Sequence, residues 1–175
     1  MNQIDCKQAQ RVWSRVMAAQ ADAQENAGKQ TADRMPAAQA VREAEAAITP
    51  EQVLALMNGE LEDAVTYRAL ACRMNGCARK TLQELAKEER CHAKKLGAMY
   101  FLLTGKKACP RRPDPPCITC NAETLRRQYQ QELSDREQYE SLAPLAGGRA
   151  CTLRELALDE CRHAQKIYSL LQNCL

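Results

Sequence analysis

Residues 81–95 read TLQELAKEERCHAKK, and residues 152–166 read TLRELALDECRHAQK. Thr81-Leu82 faces Thr152-Leu153, Glu84-Leu85-Ala86 faces Glu155-Leu156-Ala157, Glu89 faces Glu160, His92-Ala93 faces His163-Ala164, and Lys95 faces Lys166. In both stretches the apolar residues recur at helical spacing, so each reads as one amphipathic helix. The chain has only 2 histidines. Both fall at equivalent points of the repeat, each three residues after a Glu.

A second pair of stretches precedes these at nearly the same offset. Residues 59–71 read GELEDAVTYRALA and residues 131–143 read QELSDREQYESLA. Glu60 faces Glu132, Asp63 faces Asp135, and Tyr67 faces Tyr139. Chance similarity between amphipathic helices reproduces Leu and Ala positions. It does not readily reproduce a polar set of Glu, Asp, Tyr, Glu and His. The chain therefore reads as two related helical hairpins.

Start and stop signals set the expected helices at about 50–74, 82–104, 122–142 and 153–173. Thr49-Pro50 with Gln52 is a capping box with Pro at the first helical position. Thr81-x-x-Glu84 and Thr152-x-x-Glu155 are expected to cap the second and fourth helices, which explains why Glu84 and Glu155 recur. Asn75-Gly76, Gly105, and Pro144 with Gly147-Gly148 break the pattern. Two further helical segments are expected at 4–26 and 37–47. The expected organisation is an N-terminal helical extension, 1–48, and a four-helix domain, 49–175. The 16 residues 105–120 can extend about 50 Å at ~3.3 Å each, enough to run beside a helix about 35 Å long at ~1.5 Å per residue.

Residues i and i+3 share a helix face. Glu89-x-x-His92 thus aims a carboxylate and an imidazole in one direction, and Glu160-x-x-His163 does the same. With Glu60 and Glu132 from the other two helices, the set is four Glu and two His. Four carboxylates buried together repel and are costly to desolvate; two divalent cations offset that charge. A Glu from each of two helices and a Glu-x-x-His from each of two others is the ligand set of di-iron and di-manganese carboxylate bundles. Imidazole favours iron over magnesium or calcium, with manganese or zinc as alternatives. Tyr67 and Tyr139 lie two turns beyond Glu60 and Glu132, either packing or hydrogen-bonding a ligand carboxylate. Asp63 and Asp135 are extra ligands or hydrogen-bond partners. Glu88 and Asp159 are expected to face solvent or to support the ligands from behind.

These residues resemble the rubrerythrin branch of the ferritin-like superfamily, over about 50–104 and 121–174. Gly59-Glu60 with Tyr67, then Glu89-x-x-His92, Glu132 and Glu160-x-x-His163, follow that branch's order and spacing. The resemblance implies a ferritin-like four-helix bundle with a long crossover between its second and third helices. It further implies two irons per chain, a homodimer, and activity toward hydrogen peroxide or dioxygen. Ferroxidase or iron-handling function and a non-catalytic metal-binding bundle are the alternatives. Two departures stand out. Asp135 replaces a Glu common in the branch, and the branch's usual rubredoxin-like tail with two Cys-x-x-Cys knuckles is missing after the last helix, so an external electron donor is expected.

The crossover also carries Cys109 and the pair Cys117-x-x-Cys120. These are a redox dithiol, part of a metal site completed elsewhere, or ordinary thiols. Of the 10 cysteines, about five or six are expected to be small buried residues, Cys91 and Cys161 among them. Basic residues (25) and acidic residues (22) nearly balance, which gives no nucleic-acid footprint. No apolar run approaches the ~20 residues needed to span a bilayer, and residues 1–7 lack the apolar core of a signal peptide. A cytoplasmic location is the expectation.

Overall fold

The computed structural model describes residues 47–173, and these form an all-α structure with no strand among them. The segments expected at 4–26 and 37–47 lie outside the described residues. Helix α1 spans Pro50–Arg73, α2 Gly76–Thr104, α3 Asn121–Leu142 and α4 Ala150–Asn173. A 3-10 stretch, Ala143–Arg149, links α3 to α4 and is kinked at Gly147 (φ 54°).

Helix α1 starts as its sequence dictates. The backbone N–H of Gln52 donates to Thr49 Oγ1 (3.2 Å), and Thr49 N–H donates to Gln52 Oε1 (2.8 Å). Two otherwise orphaned donors are thus satisfied. The other two capping boxes are not used. Helix α2 begins at Gly76, with Asn75 as its cap residue, and α4 begins at Ala150. Thr81, Glu84, Thr152 and Glu155 all lie inside helices. Gly76 at φ +58° makes the reversal after α1 in a single step, so the helix resumes before Thr81 is reached. Arg79 then reaches back: its Nε donates to the carbonyls of Ala71 and Met74, both at 3.0 Å, satisfying acceptors at the end of α1. Gly105 (φ +68°) closes α2, its N–H donating to the Phe101 carbonyl.

Two apolar clusters, each fed by all four helices, fix the topology. One joins Val53 and Leu56, Leu96 and Met99, Tyr139 and Leu142, and Leu153 and Leu156. The other joins Tyr67 and Leu70, Leu82 and Leu85, Leu125, and Ile167 and Leu170. The start of α1 thus meets the end of α2, the end of α3 and the start of α4. Helices α1 and α4 run one way, α2 and α3 the other. The Arg73 guanidinium, whose Nε donates to Asn121 Oδ1 at 2.7 Å, ties the end of α1 to the start of α3. The segment 105–120 therefore travels from one apolar cluster to the other along the helices. Between the clusters, along the sequence of every helix, lie the polar residues of the repeat.

Candidate metal centre

Each helix places its polar residues on the face that carries its core leucines. On α1, Glu60 lies one turn beyond Leu56 and a turn before Ala64; on α2, Glu89 and His92 fall between Leu85 and Leu96. Helices α3 and α4 repeat the arrangement with Glu132, Glu160 and His163. All six side chains are buried: Glu60 is the most exposed at 5%, and the other five lie at 1–2%. No helix has room to turn these groups to water, because the flanking positions on the same face are filled by the two cores.

The six converge. His92 Nδ1 lies 3.2 Å from Glu60 Oε2, 3.0 Å from Glu89 Oε2 and 3.0 Å from Glu160 Oε1. His163 Nδ1 lies 2.8 Å from Glu89 Oε1, 3.0 Å from Glu160 Oε2 and 3.5 Å from Glu132 Oε2. Glu89 and Glu160 each face both imidazoles, whereas Glu60 faces one and Glu132 the other. The two rings lie nearly parallel, 5.3 Å between centroids. Glu89, His92, Glu160 and His163 form a buried group that could hold a metal ion, with donor atoms all within 4.8 Å of one another. Glu89 Oε1 and Glu160 Oε1 are buried without a hydrogen-bond partner. Each lies within 3.0 Å of an imidazole Nδ1 in the midst of the cluster. A cation there is what such oxygens lack.

No member of this set comes without support from the other hairpin. Tyr67 on α1 donates its hydroxyl to Glu132 on α3, and Tyr139 on α3 donates to Glu60 on α1. The outer nitrogens are held the same way. His163 Nε2 meets Glu88 Oε2 at 2.7 Å, and His92 Nε2 meets Asp159 Oδ2 at 3.3 Å. Lys166 Nζ lies 2.8 Å from Glu88, and Lys95 Nζ 3.8 Å from Asp159. A carboxylate on the outer nitrogen turns the inner one toward the centre and raises its basicity.

Comparison of the chain with family models, with curated proteins and with solved structures gives no match. The chemistry of the site therefore stands on its own side chains.

Burial alone would lower the pKa of both imidazoles. The carboxylates outweigh it: Glu160, Glu60 and Glu89 hold His92 up at about 11, and Glu132, Glu160 and Glu89 push His163 higher still. Burial raises Glu60 well above the carboxylate range, with the charges of Glu160 and Glu89 adding to it against the bond from His92. Burial likewise raises Glu132, to about 10, the charges of Glu89 and Glu160 contributing against the bond from His163. For Glu160, burial is overcome by the adjacent imidazoles of His163 and His92, which bring it down to about 2; Glu89 is lowered for the same reason. Without cations these shifts favour charged imidazoles beside charged Glu89 and Glu160, and disfavour charge on Glu60 and Glu132. Burial, then the adjacent carboxylates, raise Tyr67 and Tyr139 well above the phenol range, so both remain donors.

Asp63 and Asp135 are half-buried, and each is held by a glutamine. Gln128 Nε2 donates to Asp63 at 2.5 Å, and Gln131 Nε2 donates to Asp135 at 3.0 and 3.1 Å. Burial, then neighbouring carboxylates, raise Asp63 to about 8 and Asp135 to about 6 against those bonds. Above His92 a cavity of about 250 Å3 opens between α2 and α4, with Lys87, Lys95 and Arg162 around it.

Cys109, Cys117 and Cys120 are exposed free thiols, and they belong to no cluster of metal-ligand character among the described residues. The expectation of buried cysteines fails. Of the eight described, seven are exposed and Cys161 is half-buried. Three lie in the crossover, and the five on helices (Cys72, Cys77, Cys91, Cys151 and Cys161) take positions outside the buried faces filled by Leu and Ala. The sequence allows Glu88 and Asp159 either to face solvent or to support a ligand from behind, and their contacts to His163 and His92 decide for the second. Their recurrence beside each ligand Glu, with Lys95 and Lys166 recurring too, is the signal that could have assigned them.

Proposed function

We propose that this chain is a non-haem di-iron oxidoreductase of the rubrerythrin type, which reduces hydrogen peroxide with electrons from an external donor. In this reading the four helices are a ferritin-like bundle, and residues 105–120 are its long crossover. The arrangement of α1 and α4 against α2 and α3, with the connection running lengthwise, supports that assignment. The reading is carried by one observation: four Glu and two His from four helices face a common buried space with lone pairs left over. Glu60, Glu89, His92, Glu132, Glu160 and His163 would hold two irons. Manganese and zinc fit the same donors. Bound iron would supply electrons and Lewis acidity.

The protein side chains have distinct tasks. Glu88 and Asp159 hold the imidazole rings with Nδ1 inward. Tyr67 and Tyr139 occupy one oxygen of Glu132 and of Glu60, which fixes those carboxylates and leaves their second oxygens for the centre. The apolar clusters at both ends exclude water, so charge in the site is strongly felt. Reduction of one hydrogen peroxide to two waters takes two electrons from the donor and two protons. Asp63 and Asp135 are the half-buried carboxyls beside the centre whose protons are held nearest neutral pH. Asp135 is one methylene shorter than a Glu. In this reading its carboxyl serves as a proton holder, and Asp135→Ala slows turnover more than it lowers iron content.

Anaerobic loading with ferrous iron, followed by peroxide or dioxygen in a stopped-flow spectrophotometer, tests the function. About two irons per chain and faster oxidation by peroxide are expected. Faster oxidation by dioxygen would put a ferroxidase in its place. Unchanged iron content in both His92→Ala and His163→Ala would leave the repeat as a structural device.

A further inference from the structure

On the outer side of α1, away from the metal ligands, the crossover stands off the helix and leaves a cavity of about 550 Å3. That is within the ~300–1,000 Å3 range of small-molecule sites. One wall is an apolar ridge of α1: Leu61, Val65 and Ala69, four residues apart and so stacked along one line of the helix. The facing wall is Pro113, Pro115 and Pro116 of the crossover. Proline has no N–H and a fixed φ, so this wall is apolar, donor-free and stiff. The crossover is also pinned beside the cavity, since Arg111 N–H donates to Asn58 Oδ1 at 2.8 Å and its guanidinium pairs with Glu62. The space is thus walled on both sides by fixed elements.

The charged side chains that line it are all of one sign. Arg68 from α1, Arg90 from α2 and Arg112 from the crossover line the cavity, and no Asp or Glu does. None of the three guanidiniums has an ion-pair partner among the described residues, whereas Arg111 meets Glu62 and Arg162 meets Asp159. Three unpaired guanidiniums from three elements, around an apolar slot, match a ligand with a multiply charged head and an apolar body. A guanidinium offers a planar fork suited to phosphate.

We propose that this cavity binds an amphiphilic phosphate monoester, its chain between the α1 ridge and the prolines and its phosphate held by Arg68, Arg90 and Arg112. The inference is independent of what occupies the metal centre.

Titration calorimetry of the full chain with dodecyl phosphate below its micelle concentration tests it. Saturable binding of one molecule per chain is expected. Arg68 and Arg112 are exposed, so the Arg68→Gln, Arg112→Gln protein should keep its circular-dichroism spectrum and its metal content. It should bind at least about tenfold more weakly, the effect of losing about 1.4 kcal/mol of charge-assisted hydrogen bonding. Dodecanoate should bind more weakly than the phosphate, with inorganic phosphate and dodecyl maltoside weaker again. Equal binding of the maltoside would remove the arginines from the account, and equal binding of inorganic phosphate would remove the slot. Unaltered affinity in the double variant would overturn the proposal. So would sedimentation showing a dimer of the wild-type chain that the double variant dissociates, because a second copy would then occupy this face.

Discussion

Glu88 and Asp159 show how much of this site depends on single contacts that cross between the hairpins. Each sits next to a ligand Glu on its own helix but serves the imidazole of the other hairpin. Loss of such an outer partner typically weakens metal binding about 10–100-fold. Glu88→Gln should therefore lower metal affinity by that order in a chelator competition, while Asp159→Asn should cost less. Its contact to His92 is 3.3 Å, against 2.7 Å for Glu88 to His163. Equal affinity in wild type and both variants would make these contacts incidental. The protons in the cluster give a second prediction. His92 rises from 6.5 to about 11 and Glu132 from 4.5 to about 10 on folding. Groups raised in the folded state stabilise it fully below their unfolded values and lose that contribution as pH climbs through the folded ones. Glu160 acts in the opposite sense: lowered to about 2, it favours the fold above 4.5 and withdraws that support as pH falls through 2. The metal-free protein should thus be most stable near pH 5 and lose stability toward pH 10. Divalent metal displaces the same protons, so loading should flatten the alkaline decline and tighten as pH rises. Thermal melts across pH, with chelator and with ferrous or zinc ion, decide this; a metal-free protein most stable near pH 9 would refute it. The positions of the six convergent residues were legible because a repeat of polar residues has few causes besides a shared site. The roles of Glu88 and Asp159 were not, because neighbours on a helix diverge by about a third of a turn and their targets lie on another hairpin.

At the level of elements, local signals and tertiary packing competed, and packing decided the boundaries. The Thr81 and Thr152 boxes are sound start signals, yet helix already exists where they stand. Gly76 and the kink at Gly147 turn the chain tightly enough for α2 and α4 to begin earlier. The box at Thr49 is used: Thr49 is extended (φ −91°, ψ 154°) and Pro50 opens the helix directly after it. Cysteine burial misled for a related reason. Cysteine is often buried as a type, but here Leu and Ala already fill the inward positions of each helix, and the cysteines take the positions left over. The crossover pair follows the same logic. Cys117 and Cys120 are exposed and the centre draws on no thiol, so Cys117→Ser with Cys120→Ser should leave metal content and absorption spectrum unchanged. Loss of metal from that variant would show that the crossover contributes to the centre. Slower turnover with a donor protein, at full metal content, would instead give the pair a role as a redox dithiol.

The described residues are two hairpins that meet face to face, and neither carries the whole Glu/His cluster. Glu60, Glu89 and His92 come from the first, Glu132, Glu160 and His163 from the second. The tyrosine and carboxylate supports also reach across. Both apolar clusters take residues from all four helices, so each hairpin alone would expose half of two cores. A protease cut in 105–120 would sever the only covalent link between them and break none of these contacts. The severed protein should then behave as a heterodimer whose glue is an ion. Chelation should let the halves separate at low concentration, and returning the metal should rejoin them. Mixing such fragments from differently tagged preparations, with and without metal, would read the exchange directly; equal exchange in both conditions would show that the apolar clusters alone hold the halves together. Metal-dependent exchange would instead make the ion, rather than the peptide chain, what keeps the two halves one molecule.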